Sequence, residues 1–238
     1  MHPPRRACIK AVVYVNLLSN EQIQIPPFYR RNLPHVQPPG ASFFITFRLA
    51  GSLPVEVVKQ WNVERQWLRH LAETNPSHFE QVKHEFDRRW FTKFECLLDQ
   101  ASIGPTWLSD TRIATMVAES LHYRDGKVYR LDAFTVMSNH VHTVFKPLPR
   151  RPVTSLGLEN VDYYSLAGIM HSLKGYTAFQ ANRILGREGE FWAHESYDHW
   201  IRDYPEWQRI IGYVLNNPVK AGCCCQWRDW KWSYVRRK

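Results

Sequence analysis

From residue 42 onward the chain alternates between two hydrophobic rhythms. "SFFITFRL" at 42–49 is a short β-rich run set between "PPGA" and "AGSLP", punctuation that marks a core strand. From Pro54 to about Asp99 the spacing turns helical and heavily charged, and "TNPS" breaks it in two, which predicts an inserted or elaborated helical hairpin. Ser109 or Asp110 can cap a further helix through about His122, ended by "RDG". "KVYRLDAFTV" and "HVHTVFK" then read as two strands joined through "MSN". Beyond the Pro-rich "KPLPRRPV", Leu166, Ile169, Met170 and Leu173 trace one stripe of a helix from about Ser165 to Leu185. Asp203 ahead of Pro205 and Glu206 starts another, carried by "EWQRIIGYVLN" until Pro218 and Gly222 close it.

Strands interleaved with helices, without a regular βαβ alternation, predict an α+β fold. The expected architecture is an antiparallel, ferredoxin-like sheet with helices packed on one face, plus the helical hairpin. The first 40 residues are rich in Pro and basic side chains and show no sustained period, so they read as an arm. The expected organisation is therefore a basic arm over 1–40 and one domain over 41–238, with the helical insertion at about 54–108.

Composition narrows the partners. A chain of 238 residues, 44% hydrophobic and 14% aromatic, has the material for a real core and is not a mostly disordered polymer. Its net charge of +9 favours a polyanion, nucleic acid first, because Lys and Arg gain by displacing counterions from phosphates. The apolar stretch "AVVYVNLL" falls far short of the roughly 20 residues a bilayer span needs, so no membrane partner is expected. No small-residue cleavage pattern follows "RRACIK", which makes the cytoplasm the expected compartment. Cys8, Cys96 and the run Cys223–Cys225 offer neither a disulfide framework nor CxxC zinc spacing.

Candidate chemistry starts in "FTVMSNHVHTVF". A strand puts residues i and i+2 on one face, so His140 and His142 project side by side, as two imidazoles must to share one ion. With 11 His in the chain, chance alone supplies roughly half an HxH match, so two ordinary strand histidines fit the pattern too. In the helix after Asp203, Trp207, Ile210, Ile211, Val214 and Leu215 form one apolar stripe and Tyr213 falls well off it. Asn217 follows one turn later on the flank of Tyr213, so phenol and amide point the same way. That flank suits a nucleophile beside a ligand, and equally a boundary aromatic with a wet hydroxyl. Tyr176, in the helix that carries Lys174, is the rival nucleophile. Glu195, Asp198 and His199 form a further polar cluster, read as structural.

Four segments taken together, "VMSNHVH", "SLKGYTAFQANRILG", "FWAHESYDHWIRD" and "YVLNNPVKAG", resemble the REP-associated tyrosine transposases, single-tyrosine enzymes of the His-hydrophobic-His superfamily. The resemblance covers roughly residues 28–235. It implies a metal-dependent endonuclease and strand transferase acting on single-stranded DNA with REP-like hairpins through a covalent 5′-phosphotyrosine. By that resemblance Tyr213 is the nucleophile and His140, His142 and Asn217 hold Mg²⁺ or Mn²⁺. Lys174, Arg183, Arg202 and Lys220 in the motif segments, with Arg30 and Arg31 in the arm, are the candidate DNA contacts, and the protein is expected as a monomer or homodimer. The long stretch at about 54–108, the extended arm and the "CCC" run depart from the family pattern. Two competing classes remain: a non-catalytic protein that binds DNA or RNA hairpins, and a metal-dependent nuclease that uses water.

Overall fold

The computed structural model describes residues 38, 40–151 and 161–237. Most of the arm, Arg30 and Arg31 included, lies outside these residues.

Strand β1 (Ser42–Leu49) shows why its sequence is apolar on both sides of the pleat. Phe43, Ile45, Phe47 and Leu49 enter one core, while Phe44 enters another across the sheet. The chain continues through α1 (Val55–Thr74), α2 (Pro76–Gln100), α3 (Thr111–Arg124), β2 (Tyr129–Val136) and β3 (His140–Pro147). It ends with α4 (Leu166–Leu185), β4 (Trp192–Ile201), α5 (Tyr204–Lys220) and β5 (Ser233–Val235). The strands form a single antiparallel sheet in the order β4-β1-β3-β2-β5. With α1 and α2 set aside, the path β1-α3-β2-β3-α4-β4 and its 4-1-3-2 strand order are those of the ferredoxin-like fold.

The helices start where the sequence signals them. Asp110 accepts a hydrogen bond from Arg112 N at the head of α3, Ser165 from Gly168 N at α4, and Asp203 from Glu206 N at α5. Helices α3 and α4 bury Ile113, Val117, Leu121, Ile169 and Leu173 against Phe43, Phe47 and Phe145, which forms the expected helical layer. On the opposite face α5 packs Ile211, Val214 and Leu215 against Phe44, Ala133 and Val144, so a second, smaller layer is present. The site lies under it.

Two strands went unrecognised in the sequence. β4 contains His, Glu, Asp and Ser along most of its length and pairs only with β1, so most of its side chains are half exposed and no apolar rhythm marks it. β5 is three residues long, too short for any period to mark it. Helix α5 also runs through Pro218 to Lys220 instead of stopping at the proline.

The insertion leaves and rejoins the domain at a glycine crossing. Gly104, with φ of +79°, lies so close to Gly51 that a Cβ there would sit 2.1 Å from the Gly51 carbonyl oxygen. Between these points α1 and α2 form a hairpin with its own small nucleus, Leu68, Phe86 and Trp90. Asn75 caps α2, and Pro76 opens its first turn.

Candidate active site

Strand alternation decides where the histidines point. Val141 and Phe145 of β3 face the α3–α4 core, so His140, His142 and Val144 face α5. Register places Thr46 of β1 and Thr135 of β2 on either side of His142. Both imidazoles are completely buried.

Each ring is oriented by its distal nitrogen. His140 Nδ1 lies 2.7 Å from the Asn139 side-chain oxygen, which can only accept, so the proton sits on Nδ1 and the Nε2 lone pair faces inward. His142 Nδ1 is 2.8 Å from Thr46 Oγ1. The two Nε2 atoms then face each other at 3.0 Å. Asn139 is itself held, donating through Nδ2 to the Leu98 carbonyl of α2 at 3.1 Å.

Helix α5 brings the other two residues. The Tyr213 ring packs edge-on against Phe44, Phe91 and His142, with centroids 5.9, 5.7 and 5.5 Å away. Asn217 Nδ2 donates to the Tyr213 hydroxyl at 3.3 Å, while its Oδ1 is buried without a hydrogen-bond partner. The position of Tyr213 off the apolar stripe of α5 thus points its hydroxyl toward the histidine pair.

One member of the site was missed in the sequence. Glu95 of α2, 4% exposed, accepts a hydrogen bond from the Tyr213 hydroxyl, and its Oε2 is 3.2 Å from His142 Nε2. Nitrogen and carboxylate atoms of Glu95, His140 and His142 lie within 4.8 Å of one another. Only the structure marks it: Trp90, Glu95 and Leu98 are the buried positions along this part of α2, and Glu95 is the one carboxylate among them.

Burial dominates the electrostatics. It lowers the His140 pKa to about 3, with neighbouring His142 adding to the effect, so the ring is neutral and its lone pair available across the ordinary pH range. For Glu95 burial pulls upward, but His142, His140 and the Tyr213 hydroxyl outweigh it and hold the carboxyl well below its usual range. Burial and the adjacent Glu95 carboxylate together push the Tyr213 phenol far above its ordinary value.

The candidate DNA contacts fall in different settings. Lys174 Nζ donates to the Ala193 and His194 carbonyls at 2.6 and 2.9 Å, tying α4 to β4. Lys220 pairs with Asp99 of α2 at 2.6 Å. Arg183 and Arg202 are exposed, each beside an aromatic ring, Phe179 and Trp200 respectively. Tyr176 is 49% exposed on α4, across the sheet from the histidine pair. Glu195 binds Arg65 of α1 at 3.1 Å, whereas His199 Nε2 meets Glu206 of α5 at 2.9 Å.

No helix among the described residues is long and apolar enough to cross a membrane. No family model matches the chain. A Haemophilus influenzae protein named for the REP-associated tyrosine transposases is 27% identical over 113 residues, covering 44% of this chain and 58% of that relative. The match therefore spans little more than half of the relative's length. A solved REP-associated tyrosine transposase, described as bound to a REP hairpin, is 17% identical, with a TM-score of 0.40 over 87% of this chain and 81% of that one. So loose a superposition leaves the fold resting on its own strand order. In its four motifs and in its curated relative, the chain is similar to the REP-associated tyrosine transposases.

Proposed function

We propose that the chain is a REP-associated tyrosine transposase, a cytoplasmic metal-dependent endonuclease that opens and rejoins hairpin-bearing single-stranded DNA. One observation carries this reading: a tyrosine hydroxyl is held beside two buried imidazoles whose Nε2 atoms face each other at 3.0 Å. The donor set suits a divalent cation, because His140 and His142 turn inward and the buried Asn217 Oδ1 lacks a partner. His140, His142 and Asn217 would hold Mg²⁺ or Mn²⁺. When bound, the ion supplies Lewis-acid stabilisation of charge on a phosphate oxygen.

The remaining steps belong to the chain. The Tyr213 hydroxyl gives up its proton as Oη bonds to the scissile phosphorus and the phosphorus–O3′ bond breaks. The 3′-oxygen leaves with the electron pair and takes up a proton to become a free 3′-hydroxyl. The 5′-phosphotyrosine conserves the bond energy, so a free 3′-hydroxyl can later attack it and restore a phosphodiester. Asn217 Nδ2 and the Glu95 carboxylate grip the hydroxyl from both sides and fix its direction over the histidine pair. Phe44 and Phe91 flank the ring and keep water from it. Exposed Arg183 and Arg202, with Arg30 and Arg31, are assigned to DNA phosphates, and Lys174 and Lys220 to the frame of the site with a further share in that binding.

The test uses a labelled single-stranded hairpin, its perfect duplex, and Mn²⁺. Tighter binding of the hairpin, affinity falling steeply with salt, and a protein-linked DNA band on a denaturing gel are expected. Cleavage without a linked band would identify a water-using nuclease, and binding without cleavage a non-catalytic hairpin binder. Equal cleavage of plain duplex contradicts the proposal.

A further inference from the structure

We infer that the inserted hairpin is a working part of the metal site, with Glu95 of α2 serving as an additional ligand beside His140 and His142. The inference rests on the proposed ion site and adds to it a residue outside the four motifs.

Position is the first argument. Glu95 is buried with its Oε2 at 3.2 Å from His142 Nε2, and its carboxylate shares a sphere of 4.8 Å with both imidazoles. At that oxygen, among the described residues, it meets His142 and the Tyr213 hydroxyl, while the Lys220 ammonium that feels its charge is paired with Asp99. A buried carboxylate beside two rings with inward-facing nitrogens has the donor character of a metal ligand.

Chemistry is the second. Two neutral imidazoles with a single amide oxygen make an uncharged, nitrogen-dominated set that holds Mg²⁺ poorly. An anionic oxygen supplies both the charge and the hardness that Mg²⁺ and Mn²⁺ favour.

The third is how α2 is fastened. Leu98, three residues after Glu95, accepts from Asn139, the residue that orients His140. Asp99 pairs with Lys220 at the end of α5, the helix that carries Tyr213 and Asn217. One turn of α2 thus braces both the ligand strand and the nucleophile helix, and it presents Glu95 between them. Seating of the hairpin and binding of the ion become a single event.

Calorimetric titration of the protein with Mn²⁺ and with Mg²⁺, in the absence of DNA, tests this directly. Glu95→Gln keeps the shape and can still accept from Tyr213. Because loss of a mere outer-shell partner of a ligand typically weakens metal affinity about 10- to 100-fold, this change should weaken Mn²⁺ binding by at least about tenfold. Mg²⁺ binding should suffer more than Mn²⁺ binding. Tyr213→Phe should bind both ions as wild type does, which separates ligation from loss of the tyrosine contact, and unfolding curves establish that each variant is folded. If His142→Ala abolishes binding while Glu95→Gln binds as wild type, Glu95 is not a ligand and the inference fails, although the ion site stands. If neither variant differs from wild type, the ion site itself is wrong and the inference falls with it.

Discussion

The sheet and the inserted hairpin are built on opposite principles. β1 and β3 are buried on both faces and bound by apolar packing: Phe43, Phe47, Val141 and Phe145 into one core, Phe44 and Val144 into the other. The hairpin has a nucleus of Leu68, Phe86 and Trp90 and meets the rest of the domain through a seam in which polar pairs recur. Arg65 binds Glu195, Asn139 binds the Leu98 carbonyl, Lys220 binds Asp99, and Glu95 meets His142 and Tyr213, with Phe91 packed edge-on or tilted among Phe44, Tyr197 and Tyr213. Apolar packing is non-directional and specifies a fold, whereas paired polar groups specify one docked position. The sheet therefore supplies stability, and the seam supplies the placement of chemical groups.

The largest effect should come from the sheet. Phe145→Ala empties a fully buried position in the main core and should cost about 3–5 kcal/mol of global stability, read from the urea midpoint. A cost below about 1 kcal/mol would mean that stability does not reside there.

Leu68→Ala should cost about 2–5 kcal/mol, but locally. Amide exchange should accelerate through α1 and α2 while β1 and β3 keep their protection. Equal loss of protection in the strands would erase the distinction between the two regions.

A smaller effect depends on pH. Burial opposes ionisation of Glu195, yet Arg65 outweighs it and holds the carboxyl below its ordinary value of 4.5. A depressed folded-state pKa contributes stability above the unfolded value, and that contribution is lost as pH falls through the folded one. Protection of α1 should accordingly weaken as pH drops below about 4.5, and Glu195→Gln should flatten that dependence. A profile unchanged by the substitution would remove Arg65–Glu195 from the seam.

Asp99→Asn should have the smallest effect. The Lys220 side chain is 53% exposed, so breaking this pair should cost about 1 kcal/mol or less. A larger loss would show that the seam carries stability as well as placement.

Legibility in the sequence follows the same division. β1, β2 and β3 and the caps of α3, α4 and α5 could be read because strand alternation and capping are local signals. His140 with His142, and Tyr213 with Asn217, were legible as pairs because i,i+2 on a strand and i,i+4 on a helix fix a shared direction. Nothing local says that the two pairs meet; that follows from α5 crossing the face of the sheet to which β3 turns its histidines. Glu95 was hidden because it stands 45 positions before His140 in a helix dense with charge, where one more carboxylate attracts no notice. β4 was hidden for the reverse reason: a strand paired to one neighbour has little need of apolar residues to declare it.

Tyrosine chemistry is the central claim, and its most direct test is a denaturing gel of wild type, Tyr213→Phe and Tyr176→Phe incubated with labelled hairpin DNA and Mn²⁺. The account predicts a DNA-linked protein band for wild type and Tyr176→Phe, and none for Tyr213→Phe. A band that persists in Tyr213→Phe and disappears in Tyr176→Phe would place the nucleophile on α4 and contradict the account.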